Sequence, residues 1–309
     1  MLPVLAVLAA AVLFGTTGTS QALGPDDATP FGIGAVRLVI GGAGLAAIAF
    51  SLARRHRRVT PAAPRPTLDR RALLLMAATG VCLALYQPLF FAGTERNGVA
   101  VGTVIALGSA PVMAGALEWL LTRRLPSRAW MAATALATTG VVLLAFGGSA
   151  GASAGVDPWG LLGSLGAAAS FAVIANAQRR LMDAGWDPFT VAAAMGAGAA
   201  ACGILMLPFV DLSWVLTPTG LVMALWLGVA TIAVAYTLFT WGLQRLTAAT
   251  AATLTLAEPL TAGILGVALL GERLSALAVG GLAVLATGLV LLAWGSRAPR
   301  DPQPYAVEG

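Results

Sequence analysis

Ten times along its 309 residues the chain passes through a run of about twenty mostly apolar residues before a polar, proline or glycine break. The runs fall near residues 2–20, 30–52, 72–91, 98–121, 130–146, 158–177, 188–209, 219–241, 248–270 and 276–294. Twenty residues at helical rise span the roughly 30 Å hydrocarbon layer of a bilayer. Lipid offers no hydrogen bonds, so each segment must satisfy its own backbone, which a helix does. The pattern predicts an all-α integral membrane protein with ten transmembrane helices. Composition removes the soluble alternative. Only 10% of the residues are charged and 58% are hydrophobic, whereas a soluble domain carries about 25% charged residues.

A net charge of +5 raises the question of nucleic acid, and the placement of the charges answers it. All eighteen basic residues are arginine, and Arg54, Arg55, Arg57, Arg58, Arg65, Arg70 and Arg71 crowd the segment between the second and third runs. With the N-terminus inside, the 2–3, 4–5, 6–7 and 8–9 connections and the C-terminal tail carry every arginine except Arg37, Arg96 and Arg273. Asp26, Asp27, Glu95, Asp157, Asp211 and Glu272 fall on the opposite side. That is the positive-inside pattern, and one missed helix would scramble it. It predicts both termini cytoplasmic, a multi-pass protein of a bacterial-type inner (plasma) membrane, and no nucleic-acid partner. Residues 297–309 read as a disordered cytoplasmic tail. The first run lacks the positive start and cleavage site of a signal peptide and reads as a retained helix. Cys82 and Cys202 lie inside apolar runs as packing residues, and the one histidine, His56, lies in the arginine-rich connection. No metal or cofactor is expected.

The chain also repeats itself. Phe14 and Gln21 recur at the same spacing as Phe171 and Gln178, and Pro30-Phe31 recurs as Pro188-Phe189. Tyr86 with Phe91 corresponds to Tyr236 with Trp241, and Ala110-Pro111 to Glu258-Pro259. The chain therefore reads as two five-helix repeats, 1–150 and 151–296. Five is odd, so the second repeat enters the membrane upside down relative to the first. Inverted repeats suit alternating access, because two halves can rock about one central site.

These residues resemble the drug/metabolite transporter superfamily, specifically EamA-type carriers with two tandem EamA domains. The resemblance covers nearly the whole chain. It is carried by Pro30 with Arg37 after it, by the Tyr-led ends of helices 3 and 8, and by the run from Ala257-Glu258-Pro259-Leu260 to Leu270-Gly271-Glu272-Arg273-Leu274. In the first repeat the matching place, Leu121-Thr122-Arg123-Arg124-Leu125, has arginine where family members often have glutamate. The resemblance implies export of a small organic metabolite, amino acid-like or drug-like. It also implies that helices 3 and 8, with Tyr86, Gln87, Tyr236 and Trp241, line the central cavity.

Charges inside lipid are expensive, roughly 2.5–3.5 kcal/mol at a helix centre, so Glu258 and Arg37 are the first candidates for substrate binding or coupling. Glu258 falls near mid-membrane beside Pro259, which removes a backbone hydrogen bond and loosens the helix. A carboxyl there is a candidate proton carrier, with the proton as coupling ion; tying helices together is its structural alternative. Arg37 suits a substrate carboxylate, or it snorkels or pairs, with Glu258 as one partner. Tyr and Trp offer an apolar body with one polar handle, although Trp241 falls where an interfacial anchor is expected. Gln21, Asn176 and Gln178 are expected to hydrogen-bond between helices, and Glu118 to pair with Arg123.

Other functions fit less well. An intramembrane hydrolase needs a Ser/His pair, paired aspartates or a metal site, and no histidine falls within a run. A channel would show polar rings or a filter loop. The remaining alternative is a non-transporting scaffold or receptor, for which the chain offers no sizeable soluble segment. Oligomeric state is not encoded in any of these features.

Overall fold

The computed structural model describes residues 1–59, 66–148 and 157–295. Among them every regular element is helical, and ten helices are long and apolar enough to cross a membrane. They are α1 (Leu2–Ala22), α2 (Pro30–Val59), α3 (Arg70–Asn97), α4 (Val99–Thr122), α5 (Arg128–Gly148), α6 (Pro158–Asp183), α7 (Pro188–Met206), α8 (Pro218–Leu243), α9 (Ala248–Leu270) and α10 (Ala276–Gly295). The predicted tail at 297–309, Arg65 and the repeat boundary at 150/151 lie outside the described residues.

Local chemistry sets the helix starts. Asp157, Asp187 and Thr217 each precede a proline, and each side-chain oxygen accepts the backbone N–H three residues on. This is the N-cap followed by proline at the first helical position. Asp69 caps α3 in the same way, accepting from Ala72 N at 2.7 Å. Two ends run past the apolar runs. The second helix continues through Arg54–Arg58, and the sixth takes in Arg179 and Arg180 before it ends at Asp183, where a loop was expected. Arginine favours helix as well as water, so its presence ends the apolar run without ending the helix.

Two helices depart from regular winding. The stretch Trp226–Val234 inside α8 is wound as a π-helix, a rare form that favours functional sites. Within α9 the winding breaks at Thr255 and Leu256. Proline 259 has no N–H to give to the Thr255 carbonyl, and its ring excludes that carbonyl. The carbonyl accepts from Glu258 N instead, at 2.9 Å.

Packing pairs the halves. Helix α2 lies on α7 and α5 on α10; α1 lies against α8 and α9, while α6 lies against α3 and α4. Exchanging each helix for the one five places along leaves this set of contacts unchanged, a pattern compatible with an inverted repeat. The interior is rich in alanine and glycine, whereas Leu74, Leu205, Phe209 and Val290 point outward. Small residues inside and large apolar ones outside is the arrangement that lipid-embedded bundles favour.

Side-chain ties define two ends of the bundle. At one, Asn97 at the end of α3 accepts from Asp157 N at 2.6 Å, and Ser275 donates to Gly147 O at 2.6 Å. At the other, the arginine-rich end, His56 meets Asp187 at 2.9 Å and Arg57 donates to Thr190 Oγ1 at 3.1 Å, joining α2 to α7.

Candidate functional site

A cavity of about 710 Å³ occupies the middle of the bundle. It reaches the end that carries the α3–α4 and α9–α10 connections, where Ala22, Thr94, Thr103, Ala145 and Glu272 line its mouth. Its floor is aromatic. Phe14 of α1 tilts against Tyr236 of α8 with ring centroids 5.0 Å apart, and Phe171 of α6 against Tyr86 of α3 at 6.4 Å. These two pairs exchange under the repeat, so each half contributes one phenylalanine and one tyrosine. Phe239 closes the ring beneath, 5.6 Å from Phe171 and 6.1 Å from Tyr236. The packing is the offset, tilted kind that aromatic rings prefer.

Both charged candidates face this space. Arg37 enters from α2, and its Nη1 donates to Gln87 Oε1 at 2.6 Å. Its buried Nε has no hydrogen-bond partner. Glu258 enters from α9 directly after the break above Pro259, which also lines the cavity. Tyr86 and Tyr236 line the same space as the two charges. Arg37 and Glu258 do not form an ion pair: among the described residues the direct pairs are His56–Asp187, Arg96–Asp157 and Arg179–Asp183. The interior of the cavity therefore holds the Arg37 guanidinium and the Glu258 carboxyl on different helices, with open volume and aromatic surface around them and a second carboxyl, Glu272, at the mouth. An arrangement of this kind can hold a charged or zwitterionic group electrostatically while its apolar body lies on the rings.

Of the residues singled out from the sequence, Arg37, Tyr86, Gln87, Tyr236, Glu258 and Pro259 come together here. Trp241 does not; it lies five residues beyond Tyr236, outside the lining. Asn176 and Gln178 do hydrogen-bond between helices. Asn176 Nδ2 donates to Ala114 O of α4 at 3.1 Å, and Gln178 Nε2 to the Met195 sulfur of α7 at 3.0 Å. Thr240 of α8 donates to Gln178 Oε1 at 3.1 Å. Gln21 differs from expectation: it lines the cavity mouth, and its buried Nε2 has no partner. The expected Glu118–Arg123 pair is absent from the direct pairs just given. Arg123 adopts a left-handed backbone that ends α4, while Glu118 Oε2 accepts from Ala249 N at 2.8 Å. Phe14 and Phe171 were visible in the sequence as repeat markers, but nothing there distinguished them from core.

The two halves that build this cavity are also the two stretches that match a known family. Residues 1–146 and 158–294 each match the EamA-like transporter family. The chain is 42% identical over 297 residues, covering 95% of its own length and 93% of the relative's, to an uncharacterized transporter, YwfM, of Bacillus subtilis (strain 168). A solved crystal structure shares the fold with a TM-score of 0.75 at 20% identity, covering 96% of this chain and 97% of that one. Ten apolar helices, one central cavity between paired halves and two tandem family matches converge on a multi-pass membrane transporter of a small-molecule solute. The chain belongs to the EamA-like transporter family.

Proposed function

We propose that this transporter is an alternating-access carrier that exports a small organic metabolite, amino acid-like or drug-like, across the plasma membrane of a bacterial-type cell. In this reading the repeats at 1–150 and 151–296 are inverted, both termini are cytoplasmic, and the solute binds between them. One observation carries it. Arg37, Tyr86 and Gln87 of the first repeat and Tyr236 and Glu258 of the second line one cavity, with neither charge neutralised by a direct partner. Arg37 holds the anionic group, the aromatic floor holds the apolar body, and Glu258 takes up and releases the coupling proton as access alternates. The arginine bias toward one end of the bundle supports the assignment of that end to the cytoplasm.

The test begins with identification of the solute, by comparing what accumulates in the medium of cells with and without the protein. Everted vesicles carrying the wild type are then expected to concentrate that solute when a pH gradient is imposed. Glu258→Gln is expected to keep expression and downhill exchange but lose the uphill transport. Uphill transport by that variant would overturn the coupling role.

A further inference from the structure

The arginine-rich end of the bundle is closed by a second group of charges that the cavity does not use. Arg179, near the end of α6, is buried to 6% exposure. Its Nη2 meets Asp183 Oδ1 at 2.7 Å and its Nε donates to Asp183 Oδ2 at 3.3 Å. Its Nη1 donates to three carbonyls that end α8 and lead into α9: Leu243 at 3.1 Å, Gln244 at 2.8 Å and Leu246 at 3.2 Å. A cation suits a helix C-terminus, where carbonyls lack helical donors. Glu118, near the end of α4, answers it at the start of α9 by accepting from Ala249 N. A helix N-terminus favours an anion for the converse reason. Two opposite charges thus hold α6 and α4 against both sides of the α8–α9 connection.

Between this cluster and the cavity each of the three helices α4, α8 and α9 has a fully buried residue. In α4, Ala110 lines the cavity and Glu118 belongs to the cluster; Ala114, one turn from each, is fully buried. In α8, Phe239 is fully buried between Tyr236 and Leu243, and in α9 Ala252 is fully buried between Thr255 and Ala249.

The repeat shows that the closure is built on one end only. By the Gln21/Gln178 correspondence the counterpart of Arg179 is Ala22, and by Pro111/Pro259 the counterpart of Glu118 is Gly266. Ala22 and Gly266 both line the open cavity. The same backbone architecture is locked where it has the arginine and the glutamate, and open where it has alanine and glycine.

We infer that Arg179, with Asp183 and Glu118, forms the gate at the arginine-rich end, which must release the α8–α9 connection before the cavity can open to that side. The inference rests on the alternating-access reading. Its cost structure follows from burial: an arginine fixed by four partners and desolvated is hard to release singly, so the gate favours the state open at the opposite end.

The test uses a cysteine-free background (Cys82→Ala, Cys202→Ala) carrying Ala252→Cys, reconstituted in vesicles. A membrane-impermeant maleimide is added from the arginine-rich side, identified with a separate Arg58→Cys marker. With Arg179 present the Ala252→Cys thiol is expected to react slowly but measurably. Arg179→Ala is expected to speed the reaction about tenfold or more, the loss of at least one charged hydrogen bond. Glu118→Ala is expected to speed it as well, and it keeps the Arg179–Asp183 pair intact should Arg179→Ala, which strands Asp183, fail to fold. Wild-type labelling rates in well-folded Glu118→Ala and Arg179→Ala proteins would refute the gate and leave alternating access standing. No labelling from that side in any variant would remove alternating access, and the gate with it.

Discussion

Replacing Gly281 and Gly280 by alanine, one at a time, sets two adjacent glycines of α10 against each other. A Cβ at Gly281 would lie 2.8 Å from Gly140 O and 2.9 Å from Leu143 C, and closer still to Leu144 N, all backbone of α5. Ordinary contact begins near 3.4 Å, so the α5–α10 seam must open by about half an ångström or more, and no side chain can rotate away to relieve it. Overpacking of this kind costs about 1–3 kcal/mol. A Cβ at Gly280 would meet nothing within 4 Å. That variant keeps only the helical gain of alanine over glycine, about 0.5–1 kcal/mol. Gly281→Ala is therefore expected to lie about 1–3 kcal/mol below Gly280→Ala, since the propensity gain is common to both and cancels. Reversible unfolding in mixed detergent micelles, or thermal melting of the purified protein, measures the difference. Equal stabilities would refute backbone contact between α5 and α10, and with it the paired packing of the repeats.

Three further outcomes follow from the cavity. Gln87→Glu gives Arg37 an anionic partner in place of a neutral one, so affinity for an anionic solute should fall at least about tenfold by competition, measured as KM for transport; unchanged KM would remove Arg37 from substrate binding. Tyr236→Ala should raise KM strongly while Trp241→Ala leaves it near the wild-type value, because only the first faces the cavity; equal effects would contradict the lining. Asn97→Ala loses the two hydrogen bonds to the Asp157 backbone and should cost about 1–3 kcal/mol of stability, read by the same unfolding assay, with KM unchanged.

Much of this architecture is legible in the sequence because lipid leaves few options. Ten apolar runs fix ten helices, and recurrent pairs such as Phe14/Phe171 and Tyr86/Tyr236 fix the halves. Because those pairs repeat, the same spacing also points to the helices that meet in the middle. Arg37 and Glu258 stand out since each is a charge in an apolar run. Arg179 was hidden for the opposite reason: it sits among arginines that topology alone accounts for, and only the fold shows that it turns inward onto the Leu243, Gln244 and Leu246 carbonyls. The Glu118 partner was misassigned because one helical turn to Arg123 is a local guess, whereas Ala249 N is 131 residues away. Polar Gln21 and Gln178 share a sequence pattern but not an environment. One faces open volume and the other meets Met195 and Thr240.

Solute counterflow in proteoliposomes bears most directly on the carrier itself. Vesicles preloaded with unlabelled solute should take up labelled solute transiently above equilibrium, saturably, and faster than empty vesicles do, because one cavity serves both sides in turn. Uptake that is linear in concentration and indifferent to preloading would indicate a pore, and no protein-dependent uptake a scaffold; either would contradict the account.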